Sequence, residues 1–349
     1  MSKINFISGA EFSLQELKGI IDMALAFKEG AKLPDLADKI LTLFFVNPSL
    51  RTRLSFESGM KKLKGGVNVL SGGDTWDFEY EEGAIMDADK QEHIKEAARV
   101  ISRYTDLFGI RKSELMTKGE THKVQPLWSD LKKDLAIHQF AKYATVPIIN
   151  MESNMFHPCQ AMADVMTLFE KFKSVQAKNY VLTWAPHPKA LPLATPHSQL
   201  LTPAIFGMNV RLVHPEGFDL DPEVLEMAKS KAKAAGGSVK IFHDQKEAFK
   251  DADVVVAKSW ASLQFFGDWG KEAEHRAQFK DWTVDEEKMA WTKNAYFMHC
   301  LPVRRNVVVS DEVLDGKRSL IIDEAENRMW VQMAIIKFLL NQHYAYTHG

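Results

Sequence analysis

Short apolar runs alternate with amphipathic segments along almost the whole chain, and few folds accommodate that pattern. In the first half, residues 40–46, 67–70, 107–110 and 146–151 have the length and composition of buried strands. Around and between them, 13–28, 49–64, 91–104 and 131–143 carry helical spacing, with Ser13 placed to cap the first. Strand, helix and strand in that order build a parallel sheet covered on both faces. Residues 161–172 read as a helix that bridges into a second alternation. There the expected strands are 180–184, 210–213, 239–242, 253–257, 296–299 and 320–322, with helices at 198–206, 222–235 and 245–249. Residues 327–340 form a long amphipathic helix placed to fold back on the first domain. The fold class is therefore α/β, with two doubly wound parallel-sheet domains joined by a bridging helix and a C-terminal helix returning to the first. The expected domains are 1–155 with 325–349, and 156–324.

The size fits: 349 residues, 46% hydrophobic and 26% charged, supply two cores rather than one. A net charge of -2 gives no global field to attract nucleic acid or an anionic membrane, so any anion site must be local. Two cysteines, Cys159 and Cys300, are too few for a disulfide framework and suit a reducing compartment. There is no leader-like start and no apolar run near the roughly 20 residues that span a bilayer. A cytoplasmic protein is expected, with no nucleic-acid or membrane partner.

The chemistry gathers where strands end. Asn47-Pro48 breaks the first strand, and Ser49 and Thr52 can cap the helix that follows. A helix start offers unpaired N–H groups, and Arg51 and Arg53 set guanidiniums beside it, which makes a site for a doubly charged oxyanion such as phosphate. Taken alone, the stretch also reads as a capped helix with solvated arginines. Arg111 stands at the C-terminal end of another strand, the edge where ligands bind in open α/β sheets. His157 and Gln160 follow the strand at 146–151, Cys300 and Leu301 follow the one at 296–299, and Arg328 opens the C-terminal helix. Trp76 lies in a polar loop and should pack on something, another subunit being one option. Gly-x-Gly-x-x-Gly after a strand, Gly-x-x-x-x-Gly-Lys-Ser/Thr and Gly-x-Ser-x-Gly are all absent, which argues against standard nucleotide enzymes and serine hydrolases. No His/Cys group has zinc spacing, so no metal is expected; His187, His197 and His214 read as surface or packing histidines.

Three segments carry a resemblance. Ser49-Leu50-Arg51-Thr52-Arg53-Leu54-Ser55-Phe56-Glu57, His157-Pro158-Cys159-Gln160 and His299-Cys300-Leu301-Pro302 resemble the signatures of the aspartate/ornithine carbamoyltransferase family, in the family's order. The likeness covers nearly the whole chain. It implies carbamoyl phosphate bound by the first domain, an amine by the second, and homotrimers with sites shared between subunits. It implies no metal and no organic cofactor. By resemblance Ser49, Arg51, Thr52 and the Leu50 backbone hold the phosphate, and Trp76 reaches into a neighbour's site. Arg111, His157, Gln160, Arg328 and the Cys300-Leu301 backbone contact the carbamoyl end. The resemblance makes Arg111, His157 and Thr52 the catalytic set.

The acceptor is read from other positions. Ornithine carbamoyltransferases carry Asp-x-x-x-Ser-Met-Gly; here the segment is Asp253-Val254-Val255-Val256-Ala257-Lys258-Ser259-Trp260, and Lys258 reads as a carboxylate clamp. This segment, Ile149-Asn150-Met151-Glu152 and the Trp76 loop resemble the branch that acts on N-acylornithine in arginine synthesis, which makes N-acetyl- or N-succinylcitrulline. That likeness puts Glu152, Lys258 and the Leu301 backbone on the acylornithine. Before Glu92-His93 the N-acetylornithine enzymes carry a glutamate and the N-succinylornithine enzymes a proline; Gln91 is neither. A neutral amide does not repel a succinyl carboxylate as a glutamate would. Val308 stands where the acetyl enzymes place a lysine, and it too leans to succinyl, whereas Asn47-Pro48 and Phe265-Phe266-Gly267 look more like the acetyl type. The rivals are an ordinary ornithine or polyamine carbamoyltransferase and a non-catalytic binding homologue of this fold.

Overall fold

The computed structural model describes residues 3–113 and 127–348, so the expected surface excursion at 112–129 lies mostly outside the described residues. The chain forms two compact α/β units, one of residues 3–113, 131–159 and 328–348, the other of 127–130 and 160–327. It passes from one to the other at 159/160, inside the helix Pro158–Phe172, and back at 327/328, inside the helix Ile321–His348.

In the first unit the strands are β1 (Ile40–Phe45), β2 (Gly66–Ser71), the short β3 (Phe78–Glu79) and β4 (Glu92–His93), β5 (Leu107–Arg111) and β6 (Ile148–Glu152). Four of them make a parallel sheet in the order β2-β1-β5-β6. Five of the six β1 residues are buried, as expected for a strand covered on both faces. One face carries an aromatic cluster in which Phe108 and Phe140 lie 5.1 Å apart and Phe44 stacks on Phe108. The helix Leu14–Lys28 starts with a full capping box between Ser13 and Glu16. The helix Leu50–Lys62 meets the C-terminal helix closely: a Cβ on Gly59 would stand 2.9 Å from Met333 Cγ.

The second unit contains β7 (Asn179–Trp184), β8 (Asn209–Val213), β9 (Ser238–Phe242), β10 (Val254–Lys258) and β11 (Tyr296–Met298), all parallel, in the order β11-β10-β7-β8-β9. Trp184 and Trp260 are fully buried, and their indole N–H groups donate to the carbonyls of Trp260 and Phe218. Gly207 turns the chain after the helix Ala194–Ile205 with φ +73°, and a side chain there would collide with the Ala235 carbonyl.

Several expectations need correction. Residues 320–322 are not a strand; Ile321 opens the helix that runs to His348. The expected helix at 91–104 is shorter, Ile94–Ile101, because Glu92–His93 pairs with Phe78–Glu79. The expected helix at 131–143 is broken, and Leu135–Tyr143 begins only after Asp134, which takes a left-handed φ of 49°.

Candidate active site

Each sheet has a point where its strand order changes direction, and functional side chains collect at the C-terminal strand ends there. In the first sheet that point lies between β1 and β5. The loop ends are tied together: Val46 N–H donates to the Arg111 carbonyl, Ser113 N–H to Asn47 Oδ1 (2.7 Å), and Lys112 N–H to the Glu152 carbonyl.

The helix Leu50–Lys62 starts at this edge. Ser49 is its N-cap, with extended backbone and its Oγ accepting from the Thr52 N–H. The Ser49 hydroxyl donates to Thr52 Oγ1 (2.9 Å), which also accepts from Arg328 Nη2 at 2.6 Å. Thr52 and Arg328 are buried, so a helix start and a guanidinium are locked together by one hydroxyl. The Leu50 side chain is 68% exposed. Arg53 pairs with Glu57, one turn on. Arg53 also lines a cleft with Pro48, Ser49 and Leu50.

Arg111 and His157 meet through Glu152. Arg111 Nη1 forms an ion pair with Glu152 Oε2, and His157 Nε2 is 3.7 Å from the same oxygen. The turn between Glu152 and His157 is held by Asp134. Its carboxylate accepts from the Ser153 hydroxyl, from the Asn154 N–H at 2.9 Å and from the Met155 N–H at 3.2 Å. Burial pushes the Asp134 carboxyl up, against the pull of those donors. Asp134 was not legible as a turn-holding residue because it sits within the first turn of an apparent helix, 131–143. Cys159 is buried, and burial pushes its thiol up to about 12. Trp76 is half-exposed and its indole donates to Glu92 Oε2 (2.9 Å), while the adjacent Gln91 is exposed.

In the second sheet the change of direction lies between β7 and β10, and Lys258 stands there, in register with Trp184. His299 and Cys300 follow β11, ahead of a cis Leu301–Pro302 bond. His299 is buried and its pKa falls to about 3, from burial first and the Lys258 charge second. His187 falls to about 4 from burial, with Arg304, Lys258 and Arg276 adding to it. Arg304 Nε donates to His187 Nε2 at 2.9 Å. His187 thus sits beside the cations Lys258 and Arg304, where the sequence suggested a surface or packing histidine. The signal that could have found it is its place just past the end of a strand. Gln160 is buried and donates to Asp164. Val308 is buried. Among the described residues no three His, Cys, Asp or Glu side chains gather in a way that could hold a metal ion.

Two doubly wound sheets, with Arg111 at the switch point of one and Lys258 at that of the other, define an α/β protein with cations at both edges. Comparison with known proteins makes this specific. The family model described as aspartate/ornithine carbamoyltransferase, carbamoyl-P binding domain, matches residues 5–170, and its Asp/Orn binding domain counterpart matches 194–339. The N-acetylornithine carbamoyltransferase of Xanthomonas campestris pv. campestris is 42% identical over 346 residues, 98% of this chain and 99% of its own. The N-succinylornithine carbamoyltransferase of Bacteroides fragilis is 36% identical over 304 residues, 87% of this chain and 88% of its own. A crystal structure of acetylornithine transcarbamylase complexed with acetylcitrulline superposes with a TM-score of 0.89 at 42% identity, covering 95% of this chain and 98% of that one. The chain belongs to the aspartate/ornithine carbamoyltransferase family, and it is an enzyme, a carbamoyltransferase.

Proposed function

We propose that the enzyme transfers the carbamoyl group of carbamoyl phosphate to the side-chain amine of an N-acyl-L-ornithine, giving N-acyl-L-citrulline and phosphate. The observation that carries this is the capped start of the helix Leu50–Lys62, with Thr52 bonded to Arg328 and Arg111 at the adjoining strand end. In this reading Ser49, Arg51, Thr52 and the Leu50 N–H bind the phosphate, and Trp76 from a neighbouring subunit of a homotrimer completes that site. Arg111 and His157 donate to the carbonyl oxygen, where a negative charge develops as the amine attacks. Each such donor contributes about 3 kcal/mol to the transition state. Gln160, Arg328 and the backbone at Cys300 and Leu301 contact the carbamoyl end. The attacking amine, like lysine with a free pKa near 10, must first lose its proton. The departing phosphate accepts one, so the reaction runs without a dedicated side-chain base.

Lys258 and Arg304 supply cations for the carboxylates of the acceptor, and Glu152 faces its amine end. For the acyl group, the neutral Gln91 and the apolar Val308 favour N-succinylornithine, whereas whole-chain identity, 42% against 36%, leans to N-acetylornithine. Selectivity depends on the few side chains that touch the acyl end, so we take succinyl as the favoured group. The domains are read as 1–155 with 325–349 for carbamoyl phosphate and 156–324 for the acylornithine. No helix among the described residues is long and apolar enough to cross a membrane, which accords with a cytoplasmic enzyme. The test is citrulline formation from free ornithine, N-acetylornithine and N-succinylornithine. Turnover of the acylated substrates is expected, fastest with the succinyl compound. Turnover of free ornithine alone overturns the acceptor.

A further inference from the structure

We propose that Asp164 is a positioning residue that decides which end of the Gln160 amide meets the substrate, with Gln199 holding Asp164 in place. The inference rests on the reading above, in which Gln160 contacts the carbamoyl group. Asp164 lies four residues after Gln160 on the helix Pro158–Phe172, hence on the same face. Gln160, Asp164 and Gln199 are all buried. Asp164 divides its two oxygens: Oδ1 accepts from Gln160 Nε2 at 2.8 Å, and Oδ2 accepts from Gln199 Nε2 at 2.9 Å.

A carboxylate accepts hydrogen bonds and donates none, whereas an amide has one end of each kind. Asp164 therefore turns the NH2 groups of both glutamines toward itself. The buried Oε1 of Gln199 has no partner, so the Gln199 amide is oriented by Asp164 and by nothing on its acceptor side. The Oε1 of Gln160 faces away from Asp164 and takes no hydrogen bond among the described residues. That oxygen is an acceptor looking for a donor.

The transferred group has two polar ends, a carbonyl oxygen and an NH2. Arg111 and His157 are donors and suit the oxygen. A Gln160 amide turned the other way would only add a third donor, but with its oxygen forward it recognises the NH2. Asp164 thereby makes the site demand an N–H on the group it transfers. Acetyl phosphate, with a methyl in place of that NH2, would leave Gln160 Oε1 buried and unsatisfied, which costs binding.

The experiment measures the affinities of carbamoyl phosphate, acetyl phosphate and inorganic phosphate for the full chain by calorimetry. The wild type is expected to prefer carbamoyl over acetyl phosphate by about tenfold, the worth of one satisfied hydrogen bond. In Asp164→Asn the new amide can face Gln160 with either end, so the preference should fall to about threefold or less. Affinity for inorganic phosphate, which needs only the helix-start donors, should stay the same. A folded Asp164→Asn protein that keeps the full preference overturns the proposal, as does a wild type that binds both acyl phosphates equally. Should Asp164→Asn fail to fold, Gln199→Met removes the bond to Asp164 Oδ2. A fall in the preference supports the proposal there too, and an unchanged preference overturns it. A wild type that binds no carbamoyl phosphate sinks the functional reading itself, a separate result from unchanged discrimination in the variants.

Discussion

Glu152 shows how much one side chain's position matters. It was read as a contact to the acceptor, and it sits against Arg111 with His157 3.7 Å away. On the proposed reading Arg111 would share its guanidinium between Glu152 and the carbamoyl oxygen, and strand spacing alone could not reveal that competition. Arg51 is proposed to bind the phosphate. Arg51→Ala should lower kcat/KM for carbamoyl phosphate by about 100-fold or more, measured by citrulline formation, with little change in melting temperature. His299 makes a pH prediction. Its pKa is about 3 in the folded protein and near 6.5 when unfolded, so the unfolded chain binds more protons between those values. Stability is complete above about pH 6.5 and declines as the pH falls through that window. His187, lowered to about 4, acts with the same sign but is more exposed to solvent. Urea midpoints should drop steadily from pH 6.5 toward 4, and His299→Gln should flatten the slope.

At the scale of elements, two serine caps separate stability from function. Ser13 and Ser49 each cap a helix, but only Ser49 lies at the β1/β5 switch point. Ser13→Ala and Ser49→Ala should each cost about 1 kcal/mol of stability by chemical denaturation. Only Ser49→Ala should raise the KM for carbamoyl phosphate; an equal rise in Ser13→Ala would mean the cap acts through general loosening. Most elements were legible because their periods are distinct: Gln245–Phe249 was read residue for residue, and β7 and β10 came within one. Leu320-Ile321-Ile322 was misread for a physical reason. Three apolar residues cannot distinguish a strand from a buried helix start. A parallel bridge between Phe297 and Ser319, with Leu320 N–H donating to the Phe297 carbonyl, brings the chain alongside β11 just before the helix begins. The break at Asp134 was hidden for another reason, since helical spacing continues across it while the residue's left-handed backbone serves the turn at 153–156.

At the scale of the whole molecule, a shared site has a testable consequence. Trp76 is half-exposed, and a large aromatic surface left in solvent is one a neighbouring subunit can use. Mixing Arg51→Ala chains with Trp76→Ala chains should restore part of the activity, because some sites in a hybrid oligomer would draw both intact residues. No recovery in hybrids shown to form would mean each site is built within one chain. By itself, the sequence determined the alternation that makes two parallel sheets and the three motifs at strand ends that carry the family resemblance. These are local properties: a strand's period, a cap, a run of four residues. Only the tertiary structure decided which side chains those ends bring together. Arg328 on Thr52, Asp134 under the turn before His157, Arg304 on His187, and Gln199 on Asp164 all join residues distant in sequence. Such pairs leave no periodic trace, because the chain specifies them only through the packing that closes each unit. The helix start at Ser49 could be read in advance; what it is locked to could not.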